Sequence, residues 1–251
     1  MNKTHLLYAG TMLALTFSIA HADDKDAHPH WSYAGKTDAT HWAGLDHANS
    51  ACKLSKEQSP INIKEKSAKH ATLAALGFNY LAGSAEVVNN GHTVQVNVPP
   101  GSKLTSGDGE AGLLQFHFHT PSEEKFNGVA YPMEAHFVHK SAEGKLSVVA
   151  VLFKEGKENL ALAPVLAALP AEGKPLALAS FDPAAVLPAG HAYYKYTGSL
   201  TTPPCSDGVR WQVMKEPVEL SKGQIAAFRS IYPMNARPVQ PLNGRVIAVS
   251  E

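Results

Sequence analysis

The stretch Leu113–His119, "LLQFHFH", alternates its side-chain types with a period of two. Successive side chains of a strand point to opposite faces. Phe116 and Phe118 therefore share one face, and Gln115, His117 and His119 share the other. The Phe face suits a core. The opposite face holds two imidazoles about 7 Å apart, the rise of two strand residues. The segment Met133–Lys140, "MEAHFVHK", repeats the design, with Glu134, His136 and Val138 on one face and Ala135, Phe137 and His139 on the other. If the two segments pair as an antiparallel hairpin, His136 sits opposite the first pair. Three neutral imidazoles then converge, with a fourth side left open.

Other short runs carry the same β signature: His92–Val98, Leu146–Phe153, Tyr193–Leu200 and Val209–Met214, rich in β-branched and aromatic residues and bounded by turn formers. Helical signals are fewer. Ser221 with Gln224 three residues on forms a capping-box pattern before "IAAFRSIY", and "ENLALAPVLAAL" reads as a helix interrupted or started near Pro164. The 251 residues allow one large domain or two small ones. The 19 glycines and 17 prolines are spread along the chain rather than gathered at a boundary, so a single, mostly β domain is expected over residues 23–251. Residues 1–22 read as a secretory signal: a short polar start, an apolar run from Leu6 to Ile19, then "AHA" before the charged "DDKD". That run is too short to span a bilayer, so a periplasmic or secreted protein with no membrane insertion is expected. In an oxidising compartment the two cysteines, Cys52 and Cys205, suggest one disulfide, the alternative being two buried thiols. Lys+Arg and Asp+Glu both number 22, so no net field points to nucleic acid or to an acidic partner.

Three histidines with an open fourth position are the pattern of a catalytic zinc site, where water fills the gap. Gln115 and Glu134 share faces with the ligands and suit the outer N–H of an imidazole, fixing its tautomer. No histidine pair has the H-E-x-x-H spacing of helical zinc proteases. A non-haem iron site would want two histidines and a carboxylate, and Glu134 or Glu123 could supply it.

Taken together, "EQSPINI", "NNGH", "QFHFHTPSE", "MEAHFVH", "GSLTTPPC", "VRW" and the early "HWSY" and "HW" resemble, in this order, the α-class carbonic anhydrases, and specifically their exported bacterial members. The resemblance runs from about Trp31 to Arg245. It implies a mostly β (α+β) fold with a central, twisted, largely antiparallel sheet of about ten strands and short peripheral helices. It implies a Zn2+ enzyme that reversibly hydrates carbon dioxide to bicarbonate and a proton by way of a zinc-bound hydroxide. The resemblance assigns the zinc to His117, His119 and His136, with Gln115, Glu134 and the carbonyl of Asn235 behind them. Thr201 matches the residue that accepts from the hydroxide and passes its own proton toward Glu123. Val138, Val148, Leu200 and Trp211 match the apolar substrate wall, and His92 the proton shuttle. Tyr33, Asn90 and Thr202 match polar residues that order intervening water; Gln95 stands where an Asn is common. The resemblance also implies the Cys52–Cys205 bridge, and relatives that dimerise make a homodimer an option. Glu124 and Lys140 depart from the common pattern, at positions where other members carry His and Trp. Both are expected to alter packing or surface chemistry without touching a ligand or the Thr201–Glu123 pair. A catalytically silent, carbonic-anhydrase-like binding protein is the competing reading; loss of a ligand or of that pair would favour it, and all five residues are present.

Overall fold

A computed structural model describes residues 30–250, and the expected leader, residues 1–22, lies outside them. The alternating segments become strands where the pattern places them: Gly109–His119, Met133–Lys140, Leu146–Glu155, Tyr193–Ser199 and Asp207–Met214. The His92–Val98 run is shortened to Val94–Asn97, because His92 sits in a turn. These strands belong to one 13-stranded sheet. Ten of them lie on a continuous path, in the order Leu176–Phe181, Gly83–Asn89, Val94–Asn97, Gly109–His119, Met133–Lys140, Leu146–Glu155, Asp207–Met214, Tyr193–Ser199, Ala248–Val249 and Lys69–His70. Most pairings are antiparallel. Leu146–Glu155 is the exception at the centre, running parallel to Asp207–Met214. Its middle is buried on both faces, which accounts for the unbroken apolar run "VVAVLF".

The sheet is covered on both sides. One face packs Phe116, Phe118, Phe137, Val149 and Val151 against Ile225 and Phe228 of the helix Lys222–Ile231. That helix starts as its sequence predicts, with Ser221 Oγ accepting from the Gln224 N–H and Gln224 Oε1 accepting from the Ser221 N–H. The "ENLALAPVLAAL" segment forms a single turn, Ala163–Leu166, with Pro164 in its first positions, where a missing N–H costs nothing. The other face carries a second apolar cluster of Val148, Ala150, Leu152, Tyr194, Tyr196 and Trp211. The histidines lie at the edge of that cluster. Cys52 and Cys205 are joined in a disulfide that ties an early helix, Ala51–Leu54, to the loop after Tyr193–Ser199.

Candidate metal centre

The register of three neighbouring strands builds the site. Gln95 pairs with His117, His117 with His136, and His119 with Glu134. Cross-strand partners share a face and stand close together. The three imidazoles meet there, with ring centroids 5.0 Å apart for His117 and His119, 4.5 Å for His119 and His136, and 5.5 Å for His117 and His136. One nitrogen of each lies within 4.8 Å of the other two. A second row runs parallel to the first: Asn97, Gln115, Val138, Val148, Trp211 and Tyr196 are successive partners across six strands. Val138, Val148 and Trp211, three of the four apolar residues expected to wall a substrate site, are thus neighbours of the histidines by register alone, while Leu200 lies in the loop after Tyr193–Ser199. The Trp211 ring meets His136 edge-on at 4.9 Å.

Two of the three imidazoles have one nitrogen held from behind by a hydrogen bond. His117 Nδ1 donates to Gln115 Oε1 at 2.9 Å, and His119 Nδ1 donates to the Asn235 carbonyl at 2.8 Å. His136 differs, because its Nε2 faces two carboxylates, Glu134 Oε2 and Glu124 Oε2, each at 3.6 Å. The nitrogens left over are Nε2 of His117, Nε2 of His119 and Nδ1 of His136. His119 Nε2 is buried with no hydrogen-bond partner, an arrangement that costs free energy unless something binds there. Burial first, and then the charge of His136, lowers the His117 pKa to about 3, so this ring is neutral at neutral pH. Burial does the same to His119, well below the ordinary value. At His136 burial also pulls down, but the carboxylates of Glu134, Glu124 and Glu123 outweigh it and push the ring up to about 10. Two neutral imidazoles with nitrogens left bare, and buried carboxyls crowded around a third imidazole, are conditions that a divalent cation satisfies. Three nitrogen donors without sulfur fit zinc. The set Glu124, Glu134 and His136 also gathers within reach of one ion. Glu134 Oε2 is already engaged there, accepting from the backbone N–H groups of Glu123 and Glu124 at 2.8 and 3.2 Å.

Glu123 is fully enclosed and lies beside the cluster, its Oε2 3.6 Å from His119 Nε2 and 3.8 Å from His136 Nδ1. Its Oε1 accepts the Arg237 N–H at 2.7 Å. Burial pushes this carboxyl up to about 7, against the opposing pull of His136, the Thr201 hydroxyl and the Arg237 N–H. Thr201 is therefore close enough to favour the charged form, although Glu123 Oε2 makes no hydrogen bond of ordinary geometry. Thr201 is buried, while Thr202 and Leu200 are half-buried. Their loop is held by Leu200 N–H to the Ser206 carbonyl at 3.0 Å and Cys205 N–H to the Thr202 carbonyl at 2.8 Å.

The polar residues expected to order water have unequal fates. Tyr33 packs edge-on against Trp31 and Trp42, and burial followed by the Glu123 charge pushes its phenol well up. Asn90 Oδ1 is engaged in the turn, accepting from the backbone N–H groups of His92 and Thr93, both at 3.0 Å. Gln95 donates to Asn97 Oδ1 at 2.6 Å. Asn235 does more than its carbonyl suggests, since its Nδ2 donates to the carbonyls of both Phe118 and His92. One residue thereby ties the strand of His117 and His119 to the turn that carries His92.

Glu124 corrects the sequence expectation. It is not remote from the histidine cluster but fully buried, with Oε2 near His136 and Oε1 accepting from Tyr196 OH at 2.7 Å. Ser59 Oγ lies 3.2 Å from the same hydroxyl. Tyr196 and Ser59 escaped the sequence reading because nothing local marks them; Tyr196 reaches Glu124 across 72 residues of chain, and Ser59 reaches Tyr196 across 137. Lys140 is exposed, as expected of a surface change.

The family model described as eukaryotic-type carbonic anhydrase matches residues 37–251. The chain is 43% identical to a carbonic anhydrase of Pectobacterium carotovorum over 244 residues, covering 94% of this chain and 96% of that protein. A carbonic anhydrase of Klebsiella pneumoniae is 43% identical over 223 residues, covering 87% and 90%. Among solved structures, the α-carbonic anhydrase of Thermovibrio ammonificans in complex with the inhibitor sulfanilamide is similar, with a TM-score of 0.85 and 45% identity, covering 88% of this chain and 99% of that one.

Proposed function

The chain belongs to the eukaryotic-type carbonic anhydrase family, and from that premise we propose that it is a zinc enzyme interconverting carbon dioxide and bicarbonate at the His117–His119–His136 cluster. The observation that carries this reading is the pair of neutral, back-bonded imidazoles beside His136, with the buried Nε2 of His119 unpartnered. The ion would be held by His117, His119 and His136. It supplies a water pKa lowered to roughly 7, so that hydroxide is available at neutral pH.

The chain's own residues do the rest. Gln115, Asn235 and Glu134 fix the imidazoles, and Glu134 is itself fixed by the backbone of Glu123 and Glu124. An ionised Glu123 that accepts the Thr201 proton leaves the Thr201 oxygen only the role of acceptor. The nucleophilic oxygen must then present a lone pair to the substrate rather than a proton. Carbon dioxide carries no charge and little hydrogen-bonding power, so Val138, Val148, Leu200 and Trp211 offer it an apolar wall and exclude water from it. The proton released in each cycle leaves through His92, with Tyr33, Asn90, Gln95 and Thr202 around the water between. The presence of all three histidines and of the Thr201–Glu123 pair supports an enzyme over a silent binding protein.

Among the described residues no helix is long and apolar enough to cross a membrane. The leader pattern of residues 1–22, followed by a catalytic domain over 23–251, together with the Cys52–Cys205 bridge, supports export to the periplasm or beyond. Stopped-flow hydration of carbon dioxide tests the activity and the metal together. The chelated protein should be inactive and should recover with one equivalent of zinc per chain. Full activity after complete zinc removal would sink the proposal.

A further inference from the structure

The helix Lys222–Ile231 ends on Tyr232, whose hydroxyl donates to Asn89 Oδ1. Asn89 is the last residue of the strand Gly83–Asn89, buried, and three positions before His92. We propose that Tyr232 is a positioning residue for proton export: through the Asn89 side chain it fixes the turn that carries His92. The inference rests on the reading of His92 as the shuttle.

One amide joins three parts of the fold. An amide oxygen has two lone pairs, and Asn89 Oδ1 accepts twice, from Tyr232 OH and from the Gly91 N–H at 3.2 Å. Asn89 Nδ2 donates to the Pro170 carbonyl at 3.2 Å, and the Asn89 carbonyl accepts the Gly173 N–H at 3.1 Å. The end of the strand is thus pinned to a helix terminus on one side and to the loop over residues 170–173 on the other. The turn beyond it is braced from within. Asn90 Oδ1 takes the N–H groups of His92 and Thr93, and the Asn90 N–H donates to the Thr93 carbonyl at 3.2 Å. A unit tied up in this way moves as a body, so its attachments decide where the His92 ring stands relative to the histidine cluster. Asn235 Nδ2, on the His92 carbonyl, is one attachment and Asn89 is the other. The ring itself stacks on Trp31 and lies against His30.

The hydroxyl is a dependable donor. Burial, followed by the charge of Glu172, pushes the Tyr232 phenol up to about 12, so it keeps its proton at neutral pH. The turn also has little slack toward the neighbouring loop. Gly91 holds a φ of 85°, and a Cβ added there would meet Glu172 Oε1 at 2.9 Å. Without the Tyr232 hydroxyl, a lone pair of a buried amide loses its partner and the hold on Gly91 is left as that oxygen's single bond. The side-chain bonds of Tyr232 and Asn89 go to none of His117, His119 and His136. Proton export should therefore change while the hydration step does not.

The zinc-loaded mature enzyme with Tyr232→Phe tests this, since the ring stays against Phe228 and only the hydroxyl goes. In weak buffer kcat should fall roughly three-fold, while kcat/KM, which reports the steps before proton removal, stays the same. Added imidazole should restore kcat. Hydrogen exchange of the Gly91 amide should quicken by a similar factor. Asn89→Ala should show the same split, and adding Tyr232→Phe to it should change nothing further, because the hydroxyl acts through that amide. An unchanged weak-buffer kcat, an equal fall in kcat/KM, a loss that imidazole does not restore, an unmoved Gly91 amide, or losses that add in the double variant would overturn the positioning role. His92→Ala separates the two readings. If it leaves weak-buffer kcat intact, the shuttle assignment itself fails. If it lowers kcat while Tyr232→Phe does not, only the positioning role fails.

Discussion

Glu123 and Glu124 are adjacent in the chain and buried together, yet they face different chemistry. Glu123 lies against His119 Nε2 and Thr201, on the side where a metal ion and its oxygen ligand would be. Glu124 lies behind His136, sharing that imidazole with Glu134 and anchored by Tyr196. The residues that touch ligands from behind should tune affinity rather than chemistry. Gln115→Ala, which frees His117 Nδ1, is expected to weaken zinc binding by roughly 10- to 100-fold, measured by competition with a chelator. Thr201→Ala should instead leave zinc affinity in place and lower kcat/KM by roughly 100-fold, because the oriented lone pair is lost. Equal loss of both quantities in the Thr201 variant would show that the loop, not the hydroxyl, had been damaged.

The two histidine strands were legible because their period is two and their two faces differ in kind. Phe116, Phe118 and Phe137 went to the core, and His117, His119 and His136 to one cluster, as alternation requires. The register that sets His136 opposite His117 was the assumption, and the pairing bears it out. What stayed hidden is non-local. The 3.6 Å approach of Glu124 to His136, the hydroxyl of Tyr196, and the contact of His30 with His92 depend on chain segments that no periodicity links. The Asn235 carbonyl could be reached only through the resemblance, because a backbone acceptor carries no side-chain signature. The strand Tyr193–Ser199 shows the same dependence. At Gly198 an added Cβ would collide with Ser59 Oγ and press on the Tyr196 and Trp211 rings. Gly198→Ala should therefore destabilise the protein by about 1–3 kcal/mol, read from the midpoint of urea unfolding, and by disturbing Trp211 should lower activity as well. A variant as stable as the parent would mean that the strand yields at little cost.

At the scale of the whole molecule, a sheet covered on both faces holds its polar site at the margin of the second core, and two features bear on its stability. The disulfide links residues 153 positions apart, and Cys52→Ser with Cys205→Ser should cost about 2–5 kcal/mol in the same unfolding assay. His139, on the core face, bonds Tyr80 OH through Nε2 at 2.7 Å, and burial lowers its pKa to about 4 from 6.5. Between those values the unfolded chain binds the proton that the folded chain refuses. Stability from this residue is thus complete above about pH 6.5 and is lost as the pH falls toward 4, by about 3 kcal/mol in all. His139→Gln should flatten that part of the stability–pH curve, and an unchanged slope would contradict the assignment. The proposed activity requires three imidazoles to hold one zinc ion. X-ray absorption of the zinc-loaded protein tests this most directly. Three imidazole nitrogens at about 2.0–2.1 Å with one further light-atom ligand is the predicted result. A single imidazole with two carboxylates, the signature of an ion held by His136, Glu124 and Glu134 instead, would contradict it.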